Sequence, residues 1–179
     1  MITFGPYISE REKRKLLPII EADIEFSKSQ CLGSYYFHEE CNIWKKAYHT
    51  TERFDYILER DCFLELQSAE CVPILIGFDD DKYVIYLDVV HGPDLLTYCR
   101  EEGIGLVEFK DDLIRALTSM LDHGWFYQQL SSKHMIWCED CQAFFIIDYS
   151  NCLKIDLKNR DSYIEKIEKM VDDFVSIHE

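Results

Sequence analysis

Apolar and polar positions recur along this chain with two different periods, and each change of period marks an element. Residues 9–15 read as a short helix, with Ser9 and Glu12 as a capping box and Pro18 as its stop. Residues 19–27 and 33–37 read as two strands joined near Gly33, and residues 42–48 (NIWKKAY) as a third β segment carrying Lys45 and Lys46. The period then lengthens over residues 51–66, where Phe54, Ile57, Leu58 and Cys62 recur at helical spacing with Glu52, Glu59 and Glu65 along the same segment. Two β-rich runs, 72–78 and 83–90, flank Asp79-Asp80-Asp81 and predict a hairpin.

His91-Gly92-Pro93 ends the second run, and a short helix is expected over 94–101. A stronger helix is predicted over 108–122, with Leu113, Leu117, Met120 and Leu121 on one stripe. Two short strands, 134–138 and 143–147, follow a polar loop, and a last helix over 160–177 aligns Ile164, Ile167, Val171 and Phe174. Strands dominate the first half and helices the second, which predicts an α+β protein divided into residues 1–90 and 91–179.

Composition narrows the function. A chain of 179 residues with 47% hydrophobic residues can bury a real core, as one domain or as two small lobes sharing a cleft. Its formal charge of -15 disfavours nucleic acid and anionic membrane, both polyanions, as primary partners. The short basic cluster from Arg11 to Lys15 reads as a solvated helix face. With no apolar window near the ~20 residues of a membrane span, and no leader at its start, the chain is expected in a cytosol, its own or a host's. Eight cysteines are scattered singly except for Cys138 and Cys141. That C-x-x-C has no second pair to complete a zinc site and reads as a hairpin turn.

Candidate chemistry gathers between His123 and Asn151, HGWFYQQLSSKHMIWCEDCQAFFIIDYSN. Two aromatics lead into a loop anchored by Leu130, and two apolar strands follow, ending in Asp148. This layout resembles the catalytic core of the protein-kinase-like fold in a minimal, truncated form, and the resemblance runs from about residue 24 to the end. In that family the loop reads H-R-D-L-x-x-x-N. Aligned at Leu130, this chain has Tyr127, Gln128 and Gln129 in place of H-R-D and His134 in place of the Asn. FFIIDYSN resembles the strand ending in D-F-G, which implies Asp148 as a magnesium ligand. The resemblance also implies a strand Lys gripping nucleotide phosphates and paired with a helix Glu. Lys45 and Glu59 fill those places, with Lys46 and Glu65 as alternatives because the strand register is open. Val72 to Cys99 resembles the two strands, hinge and helix that follow, so the backbone at Asp88 and Val90 would receive an adenine.

The departures bear on activity. Gly33 stands alone where a phosphate-covering loop carries several glycines. Gln129 cannot accept a proton at neutral pH, and His134 is a poor partner for magnesium, which prefers oxygen. A His at this position is similar to the bacterial lipopolysaccharide core sugar kinases, although those keep the preceding Asp. The segment after Asp148 is too short for a long activation loop.

Three functions follow. The first is a pseudokinase that binds a nucleotide, ATP with magnesium, or a protein partner. The second is an atypical active phosphotransferase in which Asp122 or Asp140 replaces the missing base. The third is a nucleotide-free acidic interaction or effector protein.

Overall fold

Alternation in the segment IWKKA sends Trp44 and Lys46 to one side of a strand and Ile43, Lys45 and Ala47 to the other. Both sides are covered, and the first half of the chain is built around that fact. The computed structural model describes residues 1–22, 27–28, 35–38 and 41–178. These form two units. One comprises residues 1–67 and 73–89, the other residues 68–72 and 90–179. The architecture is α+β.

The first unit is a six-stranded sheet in the order β1-β5-β6-β4-β3-β2, antiparallel at every pairing. Its strands are β1 (Ile2–Phe4), β2 (Ser27–Lys28), β3 (Tyr35–His38), β4 (Ile43–Ala47), β5 (Leu75–Asp79) and β6 (Val84–Asp88). Helix α1 (Glu10–Ala22) packs Ile20 and Leu16 against Ile43, Ile76, Val84 and Tyr86 on one face. Helix α2 (Arg53–Leu66) meets the strand's other side through Glu59, which bonds Lys46.

Two expectations for the first unit are corrected. The Ser9–Glu12 capping box forms, with the Ser9 amide bonding the Glu12 carboxylate at 2.9 Å. Pro18 does not stop the helix, which runs on to Ala22. A proline forfeits one intrahelical bond, but burial of Ile20 beyond it offsets that loss. Residues 19–22 are therefore helix rather than strand, and Gly33 lies outside the described residues. In α2 the buried residues are Tyr56, Glu59, Cys62, Phe63 and Leu66, while Phe54 is 85% exposed. The helix is rotated from the stripe that Phe54, Ile57 and Leu58 suggest, because its inner face has to carry a carboxylate.

The second unit follows the predicted order more closely. Helix α3 (Leu95–Glu102) is capped by Asp94, whose carboxylate accepts from the Thr97 amide at 3.1 Å. Helix α4 (Lys110–Asp122) buries Leu113, Leu117, Met120 and Leu121, the predicted stripe, and packs against α5 (Arg160–His178). Strands β8 (Met135–Cys138) and β9 (Ala143–Ile146) make the predicted hairpin. A second two-stranded sheet, β7 (Trp125–Tyr127) with β10 (Cys152–Lys154), was not legible in the pattern because each strand has three residues. No helix among the described residues is long and apolar enough to cross a membrane.

Gly92 fixes the start of the second unit. Its φ is +146°, and a Cβ there would lie 1.7 Å from the Trp137 carbonyl oxygen. The chain needs this approach because the Trp137 amide bonds the Pro93 carbonyl at 2.9 Å. Gly92→Ala is expected to destabilise the protein by at least ~2 kcal/mol. Gly103→Ala, at a φ of +68° with nothing within 4 Å, should cost only about 1 kcal/mol. Urea unfolding of the two variants checks the difference.

Candidate functional site

Register decides which lysine enters the first unit. Lys45 stands opposite Tyr36 on β3, and its ammonium lies 5.5 Å from the centre of that ring. Lys46, one residue on, points to the other face and is 5% exposed. Its Nζ donates to both carboxylate oxygens of Glu59, at 2.8 and 2.7 Å. The pair with Glu59 is therefore made by Lys46 rather than by Lys45, since a one-residue step along a strand changes face. Glu65 is exposed on α2.

Glu59 is fully buried, and a third group serves it: the Tyr48 hydroxyl donates to its Oε2. Tyr48 follows Lys46 by two positions, the spacing of one strand face, and that spacing is the signal by which sequence reasoning could have found it. Aromatic rings extend the cluster, Tyr48 meeting Tyr56 at 5.6 Å and Tyr56 meeting Tyr83 at 5.5 Å. The Tyr56 hydroxyl donates to Asp80 at 2.7 Å, and the Arg60 guanidinium reaches the same oxygen at 2.6 Å. Burial, then the bond to Asp80, push the Tyr56 phenol well above its usual range. Tyr56 is therefore a fixed donor.

A buried ammonium held by a carboxylate can do one thing well. It presents positive charge in a low dielectric, where that charge acts strongly on a nearby anion. The desolvation penalty of such a pair is several kcal/mol per ion, so the pair adds little net stability.

Asp148 and His134 meet at the open end of the β8–β9 hairpin in the second unit. The Ile147 amide donates to the His134 carbonyl at 2.9 Å, which closes the hairpin and brings the two side chains together. His134 Nε2 lies 3.7 Å from Asp148 Oδ2, an ion-pair distance rather than a hydrogen bond. The other carboxylate oxygen accepts from the Ser150 amide at 3.0 Å. His134 Nδ1 is buried without a hydrogen-bond partner among the described residues. Tyr149, next to Asp148, is fully buried and meets the Tyr127 ring edge-on at 6.3 Å.

As metal ligands these two are unequal. Asp148 offers a partly exposed hard oxygen, whereas His134 offers a nitrogen. No group of three or more His, Cys, Asp or Glu that could hold a metal occurs among the described residues. Magnesium keeps several waters and is often bound through one or two carboxylates plus substrate phosphates, so Asp148 fits that role and His134 does not.

The remaining candidates divide. Gln129 is exposed, and the neighbouring Gln128 amide bonds the Asn151 carbonyl at 3.1 Å. Asp88 ends β6, with its amide on the Ile74 carbonyl at 2.9 Å, and the Val89 amide bonds Asn42 at 3.1 Å. Val90 is buried and belongs to the second unit. Asp122 accepts from Arg160 at 2.7 Å, and Asp140 sits in the turn at the far end of the hairpin.

Breaking the Lys46–Glu59 pair leaves one buried charge alone. Lys46→Met is expected to lower unfolding free energy by ~3–5 kcal/mol, and Lys46→Met with Glu59→Leu by much less than the two single changes summed. Lys45→Met should stay within about 1 kcal/mol. A double-mutant cycle in urea measures all three effects. A scan against models of known protein families finds none that matches this chain, and a search of curated proteins finds no match either.

Proposed function

We propose that this protein is a degenerate kinase-like module that binds a nucleotide, or a protein partner, and transfers phosphate slowly or not at all. One observation carries the reading: a buried lysine on a central strand, bonded through both carboxylate oxygens to a glutamate on the helix that follows. The resemblance in the sequence implies such a pair. The strand order β3-β4-β6-β5, antiparallel throughout, sets that lysine on an inner strand of the sheet. Helix α1, packed on the sheet face opposite Glu59, has no counterpart in the resemblance.

In this reading Lys46 grips nucleotide phosphate, Glu59 keeps its ammonium charged and aimed, and Asp148 is the magnesium ligand. Bound magnesium would supply charge neutralisation at the phosphates. The Asp88 amide is already used on Ile74 and the Val89 amide on Asn42, so the adenine edge is assigned to the backbone of Val90. Gln129 holds the place of the catalytic base and can only orient a hydroxyl by its dipole. Losing a general base costs about 10²–10⁴ in rate. Both replacement acids are badly placed for an active enzyme. Asp122 is engaged by Arg160. Asp140 is separated from the loop by the length of a four-residue strand, roughly 13 Å.

Thermal unfolding with and without millimolar ATP and magnesium tests the proposal. A nucleotide at a hundred times its Kd stabilises by about 2.7 kcal/mol, a rise of roughly 5–10 °C for this length. Asp148→Asn is expected to abolish the magnesium-dependent part of that rise, and Lys46→Met the whole of it. No rise in the unmodified protein would remove the nucleotide reading and leave an acidic protein that acts through a partner.

A further inference from the structure

The turn that joins β8 to β9 holds two thiols against each other, and the nucleotide reading makes no use of them. Cys138, the last residue of β8, pairs in register with Ala143. Residues 139–142 reverse the chain, closed by a bond from the Gln142 amide to the Glu139 carbonyl at 3.3 Å and by a left-handed Gln142 at φ +49°. Cys141, the third residue of that reversal, is exposed, while Cys138 is 9% exposed. The Cys138 side chain is the first cause that raises the Cys141 thiol above its ordinary range. A closed four-residue reversal keeps Cys141 near the end of β8, and a disulfide requires such proximity of its two cysteines.

The other described cysteines differ. Cys62, Cys99 and Cys152 are buried, Cys41 is half-buried against the cluster around Ile20 and Ile43, and burial, then the charge of Glu70, push the Cys71 thiol up to about 11. A thiol so placed is inert. Metal chemistry at the pair is also disfavoured, because it is not part of any group of three or more ligands among the described residues.

We infer that Cys138 and Cys141 form a redox-active dithiol at the hairpin tip, which closes to an intramolecular disulfide by exchange with a small disulfide such as oxidised glutathione. Exposed Cys141, as thiolate, attacks one sulfur of the external disulfide. The bond between the two external sulfurs breaks, and the first leaving thiolate takes up a proton. The Cys138 thiolate then attacks the Cys141 sulfur and expels the second external thiol. The protein loses two electrons and two protons, and the external disulfide gains them as two thiols. The Cys138 side chain, then desolvation and the charge of Asp140, hold the Cys141 thiol above its ordinary range.

The test treats the reduced full chain with oxidised glutathione and maps peptides by mass. The unmodified protein is expected to yield a 134–154 peptide two hydrogens lighter, without glutathione. Cleavage after Glu139 should separate its halves only after reduction, and cleavage before Asp148 removes Cys152 from the assignment. Cys138→Ser is expected to retain glutathione on Cys141, and Cys141→Ser to leave Cys138 unmodified. Glutathione retained on Cys141 of the unmodified protein, a link to any other cysteine, or two unreacted thiols would each overturn the inference. Because the readout is a covalent mass in the absence of nucleotide, it succeeds or fails independently of the proposed function.

Discussion

An ammonium group cannot be left alone inside a protein, and in the first unit that constraint sets the geometry around it. Lys46 is inside, so Glu59 must be, and Tyr48 adds a hydrogen bond to the carboxylate. The register of β4 follows, because a slip of one residue would turn Lys46 to the opposite face, away from Glu59. The rotation of α2 follows as well. With Glu59 turned inward, Tyr56, Phe63 and Leu66 come with it at spacings of three, four and seven, and Phe54 is carried out to solvent. A single charge pair therefore fixes both a strand and a helix, a role in specifying structure that its small net contribution to stability would not suggest.

That dependence explains what could be read from the sequence and what could not. Long amphipathic elements announced themselves: the stripe of Leu113, Leu117, Met120 and Leu121 needs no tertiary information, nor does that of Ile167, Val171 and Phe174. The β8–β9 hairpin and the Ser9–Glu12 cap were equally local. Helix α2 misled because hydrophobicity alone ranks Phe54 above Glu59, and only the buried lysine reverses that order. Choosing between Lys45 and Lys46 needed the pairing of β4 with β3 and β6, which is non-local. Strands β1, β7 and β10 have three residues each, too few for any period to show. Pro18 misled for a related reason, since packing of Ile20 outweighs a local rule.

The second unit poses the complementary problem. At the open end of its hairpin, a carboxylate is held by the Ser150 amide and faced by an imidazole whose Nδ1 has no hydrogen-bond partner among the described residues. His134 stands 3.7 Å from Asp148 as a neighbouring nitrogen, whereas its position in the loop implies a second metal ligand.

Stability alone does not account for the Lys46–Glu59 pair. Two apolar side chains of similar volume would occupy its place at equal or lower free energy, as replacements of buried ion pairs often show. What apolar side chains cannot do is hold a positive charge in a low dielectric, aimed by two hydrogen bonds. Gln129, by contrast, costs the fold nothing and forgoes proton transfer. In the proposed function, a costly charge pair without an inexpensive base is read as holding a phosphate more than transferring one. The proposed function rests on that asymmetry.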